Sequence, residues 1–394
     1  MAIDLENIYA LLFSYCKEQG FAGYDPFDAL NSRLFQWSPL KFFRPTRLGF
    51  LQLVKRSSVN LRPMFLVDKG LNPKGLALFV LAELSRFRAS GESSHAENAK
   101  LLIDKLVVHA IRDKTTDDQS TTAFGYNFDW QSRSFFAPLR TPAIVPTAFA
   151  SQAFVEAYKA FGDEKYLETA EAICNFILTG LNRPVESEDE VCFSYTPVDH
   201  SVIYNASLLA GECLARVGTI TDNSNYLEMA AKTARFVIQR QRNDGAWAYG
   251  EAEKQAWADN FHTAYVLLSL KRISNAVPDL AAETAEASER GIRYWLDNFF
   301  LDDGTPKYYD NAIYPVDIHS VAVALVALCE ISDSDTRTLP LARKTVEWVV
   351  AHMRDSEGFF YFQKRKSGTI KTPYMRWGQA WMAYALARLI ESKS

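Results

Sequence analysis

The chain has 394 residues, 48% of them hydrophobic and 23% charged, with a net charge of −4. That balance, with no long run of Lys or Arg, gives no sign of a nucleic-acid footprint. No stretch approaches the roughly 20 apolar residues of a membrane helix, and Met1-Ala2-Ile3-Asp4-Leu5-Glu6 lacks the basic start and apolar core of a signal peptide.

The first 60 residues are irregular. A helix is expected at 4–18, followed by Gly23-Tyr24-Asp25-Pro26-Phe27-Asp28-Ala29-Leu30-Asn31-Ser32, and this segment should pack on the rest or cover one end of it. From there two kinds of helix alternate. A first set is expected at 72–88, 145–161, 200–216, 260–274, 317–331 and 375–391, and a second at 46–57, 95–110, 164–181, 223–241, 281–299 and 337–354. The first set is apolar nearly all round, as in Val321-Ala322-Val323-Ala324-Leu325-Val326-Ala327-Leu328, and must be buried on most faces. The second set is amphipathic. Asn72-Pro73 reads as a cap with Pro in the first turn, and Asp163, Asp279 and either Asp222 or Asn223 are further caps.

The second half repeats. Turns at Asp244-Gly245, Asp303-Gly304 and Glu357-Gly358 precede aromatic segments at 246–249, 307–309 and 359–362, expected as short strands. Helices of the first set then begin near His200, His262, His319 and Arg376, at intervals of 62, 57 and 57 residues. Six buried helices alternating with six half-exposed ones describe an inner ring inside an outer ring. The expected fold is all-α: an (α/α)6 toroid with short β segments in its loops, forming one domain over residues 1–394.

In such a ring the inner helices run in one direction, and their N-termini meet at one mouth. Their unpaired N–H groups and partial positive charge favour an anionic ligand there. His200, His262 and His319 occupy the same place in three repeats, each preceded by an acid: Asp199, Asp259 and Asp317. Such acids also serve as helix caps, and a first-turn His can simply bond a loop carbonyl. Arg376, Trp377 and Gln379 take the equivalent place in the last repeat. Tyr126, Asp129, Trp247, Tyr249, Tyr309 and Asp310 lie on loops leading to the same mouth. Aromatic rings in a concave site stack on sugar faces, and flanking polar groups bind hydroxyls or carboxylates. His319, Asp317, His262, Asp259, Tyr309 and Asp129 are the catalytic candidates. His200, Arg376, Trp377, Gln379, Trp247, Tyr249, Tyr126 and Asp310 are the substrate-binding candidates. His95, His109 and His352 fall on second-set helices or their ends, outside this pattern.

No cofactor is expected, and no metal, since the histidines carry no ligand motif. Cys16, Cys174, Cys192, Cys213 and Cys329 are odd in number and contain no CxxC pair, which suits reduced thiols in a cytoplasmic protein.

Gln241-Arg242-Asn243-Asp244-Gly245-Ala246-Trp247 resembles the repeat motif of squalene-cyclase-like toroids and six-hairpin glycosidases. The DxDD element of protonating cyclases is missing, so terpene chemistry is not implied. Residues 23–32, Lys69-Gly70-Leu71-Asn72-Pro73-Lys74-Gly75, Gly125-Tyr126-Asn127-Phe128-Asp129-Trp130-Gln131-Ser132 and Ile144-Val145-Pro146-Thr147 resemble a bacterial family found among surface-polysaccharide biosynthesis proteins. Its members often carry an aminolevulinate-dehydratase label, which fits a TIM barrel and not this chain. The resemblance implies a carbohydrate or polysaccharide ligand and partners among polysaccharide-assembly proteins, but no catalytic residues. Tyr308-Tyr309-Asp310 with Asp317-Ile318-His319 is similar to a pattern in the toroid domain of glucuronyl C5-epimerases. Those enzymes, like toroid polysaccharide lyases, remove a proton α to a uronate carboxyl, which needs a base and a donor on the carboxylate.

Three activities fit: hydrolysis by two of Asp129, Asp259, Asp310 and Asp317, or proton abstraction by a lyase or by an epimerase. The alternative is a non-catalytic glycan-binding or scaffold protein.

Overall fold

The structure is a computed structural model describing residues 3–132 and 135–392. Its helices are α1 Leu5–Glu18, α2 Arg33–Trp37, α3 Arg44–Arg56, α4 Pro73–Ser90, α5 Ser93–Val107, α6 Ile144–Phe161 and α7 Glu164–Gly180. There follow α8 Tyr204–Thr221, α9 Ser224–Ile238, α10 Asn260–Ala276, α11 Ala281–Asn298, α12 Ile318–Glu330, α13 Thr338–Met353 and α14 Trp381–Glu391, the last preceded by a π-helical turn at Met375–Ala380.

Six of these helices form the inner ring, touching in the order α4, α6, α8, α10, α12, α14 and back to α4. Their sequences dictate this. In α12 every residue from Ile318 to Cys329 is buried, and such a helix is stable only when surrounded. The outer helices α5, α7, α9, α11 and α13 each lay one apolar stripe on the inner helix before them. This is the expected (α/α)6 toroid.

The sixth outer helix corrects the expectation. It is α1, which packs on α14, and not the helix at 46–57. That helix, α3, carries only Leu51 and Val54 as buried residues, too narrow a stripe for an outer-ring position. It packs instead on the 3-10 turns at Asp28–Asn31 and Pro39–Phe42, beside the mouth where the inner helices begin.

The aromatic segments behind the Gly turns also differ from expectation. Two of them form isolated bridges, Asp259 to Tyr309 and Arg354 to Phe360, rather than strands. Their backbone has another task. The first N–H of an inner helix donates to the aromatic loop of the following repeat: Ile144 to Tyr195 O (2.9 Å), Tyr204 to Tyr249 O (3.3 Å), Asn260 to Tyr308 O (3.0 Å) and Ile318 to Phe362 O (3.0 Å). These loops thereby satisfy helix N-termini that would otherwise be orphaned. At the closing repeat Met375 N donates to Tyr24 O (3.1 Å), so the N-terminal segment supplies both the last outer helix and the last loop. Gly245 and Gly304 hold φ of +93° and +87° in the turns, where a Cβ would meet the backbone of Arg290 or Lys344 at 2.6 Å.

The strands are short and antiparallel. β1 (Ile111–Lys114) pairs β2 (Ser120–Ala123), β3 (Trp130–Gln131) pairs β4 (Phe136–Ala137), and β5 (Val185–Glu186) pairs β6 (Val191–Cys192). β7 (Val316–Asp317), β8 (Gln363–Arg365) and β9 (Gly368–Ile370) make a three-stranded sheet at the cavity end. All five cysteines are buried and unpaired.

Candidate active site

A cavity of about 750 Å³ opens where the inner helices begin. Every inner helix contributes from its first turns: Lys74 (α4), Val145 (α6), Asn205 (α8), Phe261, His262 and Tyr265 (α10), His319 (α12), and Arg376 and Trp377 from the π-helical turn leading into α14. Loop aromatics make the walls, among them Tyr126, Trp130, Tyr195, Tyr249, Trp257 and Tyr309. Tyr249 and Trp257 stack at 4.6 Å, and Tyr249 lies 4.5 Å from the His262 ring. The size and the mixture of apolar walls with few polar groups suit a sugar-sized ligand.

The two histidines are held differently. Asp259 caps α10, accepting from His262 N (2.8 Å), while its other oxygen lies 2.8 Å from His262 Nδ1. The carboxylate holds the proton on Nδ1 and leaves Nε2 as the nitrogen that can accept one. Capping and ring orientation are therefore one device here. At His319, Asp317 caps the helix through the backbone N (3.0 Å) and does not touch the ring. The ring stacks on Trp377 at 4.0 Å and 18°. Its Nδ1 lies 3.3 Å from Trp377 O, which can only accept, so Nδ1 carries the proton and Nε2 accepts from Tyr265 Oη (3.3 Å). Burial first, then Lys74 and Arg376, push the His319 pKa well below the ordinary value, so the ring is neutral.

Asp317 acts at one remove. It accepts from Trp377 Nε1 (2.9 Å) and Gln363 Nε2 (3.1 Å), fixing the indole on which His319 lies, and burial raises its pKa to about 6.

Besides the exposed Lys254, three cations line the cavity. Arg376 is matched by a bidentate pair with buried Asp25 (2.6 and 2.8 Å). Lys55, from α3, lies over the Phe27 ring at 4.0 Å, and burial lowers its pKa to about 8. Lys74 is buried, with Nζ 3.3 Å from Tyr265 Oη and 4.4 Å from the Phe149 ring centroid. Among the described residues no carboxylate pairs with it, and burial, then Arg376, drive its pKa well below the ordinary lysine value. Lys74 Nζ, Tyr265 Oη and His319 Nε2 form one hydrogen-bonded chain.

The structure brings His262, His319, Tyr126, Tyr249, Tyr309, Arg376 and Trp377 to this cavity and places Asp259 and Asp317 directly behind it. Five expected residues are elsewhere. His200 is exposed, because Asp199 closes a turn on Thr196 N and Ser201 N and the helix starts only at Tyr204. Gln379 exchanges hydrogen bonds with the Phe360 backbone (2.8 Å each way). Trp247 is core, donating to Val237 O (2.9 Å). Asp129 braces a loop through Leu139 N (2.8 Å) and Gln36 Nε2 (3.2 Å). Asp310 accepts from Tyr294 Oη (2.7 Å).

None of the four acids considered for hydrolysis thus lines the cavity. Its one carboxylate among the described residues is the exposed Glu253. Lys74, Lys55 and Tyr265 were missed by sequence reasoning. Lys74 had a signal, as a charge in the first turn of an apolar helix, and so had Tyr265, three residues after His262 on one helix face. Lys55 had none, because α3 is remote in sequence from the ring.

No protein-family model matches the chain, and no curated protein sequence matches it. Solved structures do. A cellobiose 2-epimerase from Bacillus thermoamylovorans B4167 is similar over 82% of this chain and 88% of its own, with a TM-score of 0.63 at 12% identity. A D-mannose isomerase is similar over 82% and 87% (TM-score 0.59, 14% identity). An unsaturated glucuronyl hydrolase specific for heparin is similar over 83% and 88% (TM-score 0.58, 14% identity). These likenesses establish the six-hairpin toroid fold, and the neighbours are carbohydrate-processing enzymes.

Proposed function

We propose that this chain, as a single toroid domain over residues 1–394, is a carbohydrate-active enzyme that moves a proton at a carbon beside a carbonyl or carboxyl group of an acidic sugar. Epimerase or lyase chemistry fits better than hydrolysis. One observation carries the proposal: two histidines line one cavity, one ring backed by a carboxylate and one neutral, with no pair of carboxylates lining it among the described residues. His262 is the candidate base, with Asp259 holding its tautomer. His319 is the second proton-transfer group, linked through Tyr265 to Lys74. Negative charge developing on the carbonyl or carboxylate oxygen is met by Lys74 and Tyr265 in a water-poor site. The unmatched cations support an anionic substrate, and the aromatic walls support a sugar ring. The resemblance to proteins of surface-polysaccharide biosynthesis supports a uronate-containing glycan as the context.

The test is incubation with uronic acids and uronate oligosaccharides in D2O, followed by NMR. The expected result is exchange of one sugar C–H for deuterium by an epimerase, or loss of that C–H to a new carbon–carbon double bond by a lyase, and either is abolished in His262→Gln and His319→Gln. Release of reducing ends with neither exchange nor a new carbon–carbon double bond in the product would assign hydrolysis and overturn the proposal. Binding with neither exchange nor cleavage would leave a sugar-binding protein.

A further inference from the structure

Between Asp28 and Asp68 the sequence has seven cations, Arg33, Lys41, Arg44, Arg47, Lys55, Arg56 and Arg62, and no carboxylate, in a chain whose net charge is −4. A second acid-free stretch, from Glu357 to Glu391, adds Lys364, Arg365 and Lys366 on the β8–β9 hairpin. The two are joined where Arg365 Nη1 donates to Arg56 O (3.0 Å).

The first stretch folds on itself. Phe35 stacks on Phe50 at 4.6 Å, Phe50 meets Phe65 at 5.0 Å, and Arg33 N donates to Leu66 O (3.3 Å). Around this small core apolar side chains point outward: Trp37 is 77% exposed, Phe42 72% and Phe43 59%. Of the sixteen exposed large hydrophobic residues among those described, nine lie between Leu34 and Leu66. An apolar concentration of this kind on one lobe marks a contact surface rather than ordinary scatter.

We propose that this lobe is a docking surface for an anionic lipid bilayer. Trp and Phe side chains enter the boundary between head groups and acyl chains, while cations beside them meet anionic head groups. Arg62 is buried on Asp28 and Arg33 pairs with Asp68, but no carboxylate lies in sequence among Lys41, Arg44, Arg47 and Arg56, so this part of the surface meets head groups without acidic repulsion. A second copy is the poorer occupant, because a two-fold contact would press this cationic patch against itself. Among the described residues no helix is long and apolar enough to cross a membrane, so the contact is peripheral. Lys55 and Phe27 line the cavity, and Arg47 Nε donates to Gln131 Oε1 (2.8 Å) beside it. Docking by this lobe therefore holds the mouth of the cavity close to the lipid surface.

The experiment is co-sedimentation of the full chain with vesicles of phosphatidylcholine alone, and of phosphatidylcholine and phosphatidylglycerol in equal parts. Binding to the anionic vesicles is expected, weaker by about tenfold or more without phosphatidylglycerol and weakened by salt. The double variants Trp37→Ala with Phe42→Ala, and Arg44→Glu with Arg56→Glu, should each lower binding by about tenfold or more at an unchanged melting temperature. Failure to bind anionic vesicles at low salt overturns the proposal, and so does wild-type binding by both variants. A dimer that dissociates on Trp37→Ala with Phe42→Ala would assign the patch to self-association instead.

Discussion

Where the inner helices end, at the mouth opposite the cavity, Arg88, Arg216, Arg272 and Arg388 interleave with Glu156, Glu212, Glu330 and Glu391. Arg272 holds Glu330 with two contacts of 2.6 Å and Glu212 with one of 2.9 Å, and the pairing keeps the Glu330 pKa down at about 2 despite burial. A second cavity, of about 450 Å³, lies within this network. At the mouth where the helices begin, Arg376 has a bidentate carboxylate partner, and Lys74 has none among the described residues. The helix ends sharpen the contrast. Arginines at helix C-termini oppose the local negative potential, whereas Lys74 and Lys55 add to the positive potential of the N-termini. A matched network is explained by stability alone. Burial holds the Lys74 amine well below the ordinary lysine pKa, a standing cost that makes sense where an anionic ligand favours the ammonium and completes the pairing.

The largest expected effect is on chemistry. His262→Gln and His319→Gln should each lower turnover by about a hundredfold to ten-thousandfold, measured as deuterium exchange or as formation of an unsaturated product, with folding retained by circular dichroism. The opposite mouth should respond only in stability. Glu212 is buried and shared by Arg216, Arg272, Gln152 and Ser269. Glu212→Gln should cost about 3–5 kcal/mol in denaturant unfolding, with turnover per folded molecule unchanged. Loss of turnover without loss of stability there would erase the distinction between the mouths.

Lys74→Met should do the reverse. Affinity for an acidic sugar, read by calorimetry, should fall by about 1.5–3 kcal/mol, while melting temperature rises. The sign follows from the lowered pKa: the folded state resists protonating this amine, so the stability gain should grow as pH falls. Lys55 sets a smaller effect. Its ammonium is present below about pH 8 and lost above it, so acidic-sugar affinity should decline as pH rises through that value, and Lys55→Met should flatten the decline. His200→Ala and His352→Ala should change neither turnover nor melting temperature. His200 is exposed, and the His352 ring lies on Trp348 of an outer helix.

The ring was legible because it is written in periodicity: helices apolar all round alternate with amphipathic ones, and chain order then fixes their neighbours. His262 and His319 were legible because they recur at the start of such helices. His200 recurs too, but a three-residue Asp turn delays its helix, and no repeat pattern encodes that delay. The roles of Asp259 and Asp317 were less legible. Both precede a histidine and both cap, yet one reaches the ring and the other reaches only an indole that supports it, a difference of side-chain direction. The third cation was beyond sequence reasoning because α3 meets the mouth through tertiary packing alone.

The closing repeat has a consequence for chain topology. Glu6 near the start of α1 pairs with Arg86 (2.6 Å), and Glu391 at the end of α14 pairs with Arg88 (2.7 Å), two residues along the same helix. The chain is thus a circle of hairpins cut between the two helices of one of them. Moving the cut to the exposed β1–β2 turn at 115–119, with a short linker joining residues 392 and 3, would give a circular permutant in which every hairpin is continuous but the ring is the same.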